Sequence, residues 1–113
     1  IPGPREPEGP PVRIELLSDG DEILPVGREA RVRLRVTDRA GAPVDGDALA
    51  AVVFRMPGTW QWRGEGAALG GGIHELRFVP PAPGRYRIVP ALETRGLGPG
   101  ALPTFVVGAG EER

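Results

Sequence analysis

Residues 80–89 read Pro80-Pro81-Ala82-Pro83-Gly84-Arg85-Tyr86-Arg87-Ile88-Val89. Three prolines stiffen the backbone and remove amide donors, so the first half is a corner and not the interior of a helix or a sheet. After Gly84, Tyr86 and Ile88 alternate with Arg85 and Arg87, the period of a strand with one apolar and one charged face. The preceding segment, Ile73-His74-Glu75-Leu76-Arg77-Phe78-Val79, alternates in the same way, with Leu76 and Phe78 opposite Glu75 and Arg77. Two half-buried strands joined by a rigid bend are the expectation.

The same period recurs on the N-terminal side. Val12, Ile14 and Leu16 alternate with Arg13 and Glu15, and Val32, Leu34 and Val36 alternate with Arg31, Arg33, Arg35 and Thr37. Between them, Ser18 to Glu22 is an acidic turn, and Ile23-Leu24-Pro25-Val26-Gly27 fits a short edge segment, where a proline removes no ladder bond. Asp38 to Val44 and Asp45-Gly46-Asp47 are turns. Leu49 to Met56, apolar until Arg55, has the pattern of a central strand covered on both faces. Thr59 to Arg63 is a short strand with Trp60 and Trp62 on one side, and Gly64 to Gly72 is a flexible connection. Beyond Val89, Arg95 to Gly100 forms a loose hairpin loop and Leu102 to Val107 a last strand. About seven strands, no helix and no internal repeat predict an all-β chain folded as a two-sheet sandwich. Residues 1–11 are a Pro/Gly-rich linker, residues 12–108 the domain and residues 109–113 a polar tail.

These strands and corners resemble an immunoglobulin-like sandwich. The alternating pair around residues 80–83 is similar to its strands E and F, where a tyrosine at the start of F bonds back to the corner before it. That resemblance implies sheets A-B-E and C-F-G, with the tryptophan segment at an edge. It also implies a core holding Val32, Leu34, Val36, Val53, Leu76, Phe78, Tyr86 and Ile88. Val-x-Leu-x-Val-x-Asp-x-x-Gly-x-Pro-Val at 32–44, followed by Met56-Pro57, the tryptophan segment and Pro83-Gly84-x-Tyr86-x-Ile88, resembles small bacterial extracytoplasmic domains of the YtkA-like and FixH-like kind. It is also similar to invasin-type Ig-like repeats. The first resemblance implies copper handling or oxidase assembly. The sequence departs from that pattern where Gly58-Thr59 follows Met56-Pro57 and where Ala82 occupies a corner position that often carries aspartate.

Composition narrows the function. The 113 residues carry a formal net charge of -1, so bulk charge suggests neither nucleic acid nor an anionic membrane as partner. No apolar run approaches the roughly 20 residues of a membrane span. Every basic side chain apart from His74 is arginine, and the arginine, glycine and proline bias fits a high-GC bacterial genome. The absence of cysteine excludes disulfides, thiol catalysis and zinc-thiolate sites. His74 is the single histidine, so no catalytic triad and no multi-histidine metal site can be built, and no metal or other cofactor is expected. A soft-metal pairing of His74 with Met56 is the weaker reading against a rim or partly buried polar residue. The acidic residues in the turns match no calcium-loop spacing.

Two surfaces remain as candidate binding sites. Trp60 and Trp62 project to one side, either into the core or outward as a platform for sugar rings. Arg31, Arg33 and Arg35 share an outer face with Arg13 and Arg77, diluted by Glu15 and Glu75. The expectation is a non-catalytic structural or binding module of a secreted or cell-surface assembly. Its partners would be neighbouring domains or other proteins, or a glycan, and Arg33 would be an exposed cation whose reversal leaves the fold intact. A copper-assembly domain and a carbohydrate-binding accessory module are the alternatives.

Overall fold

The structure is a computed structural model, and it describes residues 12–17 and 23–110. The linker at 1–11, the acidic turn at 18–22 and the last three residues of the tail lie outside the described residues. Among the described residues nine strands follow in order: β1 (Val12–Leu16), β2 (Ile23–Leu24), β3 (Ala30–Asp38), β4 (Ala50–Met56), β5 (Gln61–Glu65), β6 (Ala67–Gly70), β7 (Ile73–Phe78), β8 (Gly84–Ala91) and β9 (Phe105–Ala109). One sheet has the order β1-β3-β7-β6 and the other β2-β9-β8-β4-β5. All pairings are antiparallel except β2 with β9, which run parallel. This is the immunoglobulin-like sandwich, with the tryptophan-bearing β5 at an edge.

Alternation along each strand sends its apolar residues between the sheets. In β3, Val32, Leu34 and Val36 are fully buried beside Leu76 and Phe78 of the neighbouring β7, and they share the core with Tyr86 and Ile88 of β8 in the other sheet. All eight expected core residues are buried. At roughly 25 cal/mol per Å2 of apolar surface, each large aliphatic or aromatic side chain contributes about 1.5–3 kcal/mol.

The corner between β7 and β8 is built as expected. Tyr86 is fully buried, and its hydroxyl donates to the Ala82 carbonyl at 2.5 Å while the Ala82 amide donates back at 3.3 Å. A second clamp was not legible in the sequence. Arg55, at the end of β4, donates Nε and Nη2 to the Pro83 carbonyl at 3.1 and 2.8 Å, and Nη1 to the Pro57 carbonyl at 3.2 Å. Gly84 (φ +142°) lets the guanidinium approach, since a Cβ there would lie 3.3 Å from Arg55 Nε.

Four expectations need correction. The connection at 64–72 is not a free loop, because β5 runs on to Glu65 and β6 adds an edge strand to β7. Its last glycine is pinned: Gly72 (φ +81°) is buried, donates to Asp45 Oδ1 at 2.7 Å and accepts from the Val36 amide at 2.8 Å. β4 is covered on one face only; Ala51 and Val53 are buried, but Val52 and Phe54 are half-exposed. A sheet of this kind needs a second layer only on its inner side. The loop at 95–100 is fastened by a single 3-10 turn at Glu93–Arg95, where Asp47 accepts from Thr94 at 2.9 Å and from Arg95 at 2.5 Å. The last strand, expected at 102–107, spans Phe105–Ala109, and Ala109 is buried.

Two substitutions test this frame by denaturant unfolding. Tyr86→Phe leaves the Ala82 carbonyl without its donor and is expected to cost about 1–3 kcal/mol. Gly72→Ala demands an unfavourable φ and places a Cβ 2.4 Å from the Val36 carbonyl oxygen. It is expected to cost on the order of 3 kcal/mol, more than an alanine at exposed Gly46, where a Cβ meets nothing within 4 Å.

Candidate functional site

The tryptophan pair closes one open side of the sandwich. Trp60 and Trp62 flank the start of the edge strand β5 and turn inward to pack against the core. The Trp60 ring meets Tyr86 edge-on at 5.5 Å between centroids and Phe78 at 6.3 Å; Trp62 lies 5.8 Å from Phe78. Both indoles are half-buried. The inward alternative therefore describes them better than an outward platform, and the reason is volume. With six aromatic side chains in the whole chain, the space between β5 and β7 needs these two rings.

The arginine face lies on the outer side of the β1-β3-β7 sheet. Arg31, Arg33, Arg35 and Arg77 all point outward, as the alternation requires, and each meets a carboxylate. Arg31 Nε lies 3.5 Å from Glu29, and Arg35 Nη1 lies 3.9 Å from Glu15, its cross-strand neighbour. Glu75 receives two cations, with Arg33 Nε 3.0 Å from Oε2 and Arg77 Nε 2.8 Å from Oε1. Glu75 sits on the outward side of β7 yet its side chain is only 2% exposed, covered by its two arginines. Their hydrogen bonds, Arg77 first and then Arg33, hold the Glu75 carboxyl below the ordinary value near 4.5, against the opposing effect of burial. The bond to Glu75 correspondingly raises Arg77.

This arrangement changes the meaning of Arg33. Spacing along β3 showed that the guanidinium groups share a face, but not that Arg33 covers a buried carboxylate. Reversing its charge is therefore expected to disturb the fold as well as the surface, where alternation alone predicts a freely exchangeable cation.

The remaining reactive side chains bind the protein to itself. His74 is fully buried, deeper than the rim or partly buried position expected, and Nε2 donates to the Val44 carbonyl at 2.9 Å, which assigns the proton to that nitrogen. Nδ1 is buried without a hydrogen-bond partner among the described residues. Met56 belongs to the other sheet, in β4, so the two residues weighed as a soft-metal pair are not brought together. Asp45 and Asp47 are engaged with Gly72 and with Thr94 and Arg95 respectively. No group of three or more metal-ligating side chains occurs among the described residues.

No protein-family profile matches the sequence, and no curated protein matches it either. The structure is similar to the crystal structure of the Lin-41 filamin domain. The TM-score is 0.59, with 16% sequence identity, over 86% of this chain and 93% of that one. At that identity the likeness concerns the fold, and it agrees with the immunoglobulin-like architecture.

The Glu75 cluster has a pH signature. A carboxyl whose pKa is lowered on folding adds stability that is present above its unfolded value, near 4.5, and lost as pH falls through the lower folded value. Glu75→Gln is expected to lower Tm at neutral pH and to flatten the fall in Tm on acidification below about pH 5. Arg33→Glu is expected to lower Tm by several degrees at neutral pH, whereas Arg31→Glu shifts it by no more than about 1–2 °C, because Arg31 and Glu29 form an exposed pair. Thermal scans of the three variants between pH 3 and pH 7 check both expectations.

Proposed function

We propose that the chain is a non-catalytic immunoglobulin-like module that spaces and connects other parts of a secreted or cell-surface assembly. The observation that carries this reading is where the chain enters and leaves the sandwich. Val12 pairs with Asp38 at one end of β3, whereas Ala109 pairs with Gly84, beside the corner that follows Phe78 at the other end. Entry and exit therefore lie at opposite ends, separated by the length of a nine-residue strand, about 30 Å. A module built this way holds two attached segments apart along its long direction, as a flexible linker of equal length does not. The reading is supported by the use of His74, Tyr86, Glu75, Asp45 and Asp47 to join strands and loops, which leaves them committed to the scaffold. The copper-assembly and carbohydrate-binding alternatives gain no support from the placement of His74, Met56, Trp60 and Trp62.

Domain exchange in the parent protein tests the proposal. Replacing residues 12–110 by an unrelated sandwich of similar end-to-end length should preserve the assembly. Replacing them by a glycine-serine linker of equal residue number should impair it. Full function with the linker would overturn the spacer reading.

A further inference from the structure

The second outer face of the sandwich differs from the first. It is formed by the outward residues of β2, β9, β8, β4 and β5, and cross-strand register places them in rows. Ile23, Gly108, Arg85 and Met56 form one row, and Val106, Arg87, Phe54 and Gln61 the next. Val89, Val52 and Arg63 follow, and then Ala91, Ala50 and Glu65. Ile23 is 61% exposed and Val106 48%, and Val52, Phe54, Met56 and Val89 are each partly exposed. Here apolar side chains stand in water where the opposite sheet presents charge.

The cations on this face also differ from those on the other. Arg31, Arg33, Arg35 and Arg77 each have a carboxylate, but among the described residues Arg63, Arg85 and Arg87 have none. Arg87 donates to the Thr104 hydroxyl at 3.3 Å, which leaves its charge uncompensated. Two residues apart on β8, Arg85 and Arg87 put two positive charges on one side about 7 Å from each other. Further along, a hollow of about 320 Å3 is lined by Ala50, Val52, Val89, Ala91 and Pro99. Arg63, Glu65 and Glu93 also line it.

We propose that this face docks an acidic, partly apolar segment of another protein. The segment carries carboxylates opposite Arg85 and Arg87 and an apolar side chain in the hollow beside Ala50 and Ala91. Ala91 lies four residues beyond Arg87 on the same strand, a distance of about 13 Å. An extended segment therefore needs its acidic and apolar anchors about four residues apart. Charge and polarity together select this occupant. A polyanion without apolar groups would leave Phe54, Val52 and Val106 wet, and a purely apolar surface would bury the arginines unpaired. The proposal concerns a face and not the chain ends, so a pure spacer would pass the domain-exchange test and fail this one.

The test is a selection of random peptides of about 12 residues displayed against the whole chain, with binding then measured for synthetic copies of the winners. Enrichment of peptides with glutamate or aspartate about four residues from a large apolar residue is expected. Their affinity should drop at least about tenfold with Arg85→Glu/Arg87→Glu, and also with Ala50→Leu, which fills the hollow. Arg31→Glu, on the other sheet, should leave it unchanged. The proposal is overturned if no peptide is enriched, if the winners lack acidic residues, or if they bind the Arg85→Glu/Arg87→Glu variant equally well. It is overturned in favour of a membrane if no acidic peptide binds while vesicles with roughly 30 mol % phosphatidylserine bind the chain and lose it on Arg85→Glu/Arg87→Glu.

Discussion

Tyr86 is the side chain on which the two sheets depend. It is fully buried at the base of β8, and a buried phenol must find a partner for its hydroxyl or forfeit the gain from burying its ring. The partner is the Ala82 backbone, held in place by the flanking prolines. The same bond sets the angle at which the chain leaves β7 in one sheet and enters β8 in the other. Arg55 secures the corner from the β4 side through the Pro83 carbonyl, so β4, β7 and β8 converge there. Trp60 and Phe78 complete the enclosure by packing against the Tyr86 ring.

The two outer faces solve the problem of solvent exposure differently. On the β1-β3-β7 side, arginine and glutamate neutralise one another within and across strands, and Glu75 is drawn in beneath Arg33 and Arg77. Such pairs at the surface add little stability singly. Two arginines sharing one covered carboxylate form a connected unit, and removal of either member is felt by the others. On the β9-β8-β4 side the chain keeps valine, phenylalanine and methionine beside arginines that lack carboxylates. Local stability does not require that combination, since either charge pairing or plain polarity would hold a sheet in water more simply.

Strand positions were largely legible because period-2 alternation is strong wherever one face is buried, as in Val32-Leu34-Val36 and Leu76-Phe78. The tyrosine corner was legible too, because proline, glycine and tyrosine stand at fixed offsets in 80–86. β6 was not. Ala67, Ala68, Leu69 and Gly70 show no alternation, and they form a strand because the exposed edge of β7 supplies hydrogen bonds to pair with. The arginine face was foreseen as a set, yet the special position of Arg33 depends on its register opposite Glu75, which pairing between strands 42 residues apart establishes.

The sequence by itself determined the class of fold, the eight central core residues and the side of each strand on which its arginines stand, because these follow from local backbone geometry. Only the tertiary structure decided what those arginines meet. It paired Arg33 and Arg35 with carboxylates brought from distant segments and left Arg63, Arg85 and Arg87 beside apolar neighbours. It also turned Trp60 and Trp62 inward and buried His74 against Val44. The reason is physical: alternation specifies a direction, while electrostatics and packing depend on distances to residues far away in the chain, and folding alone sets those distances.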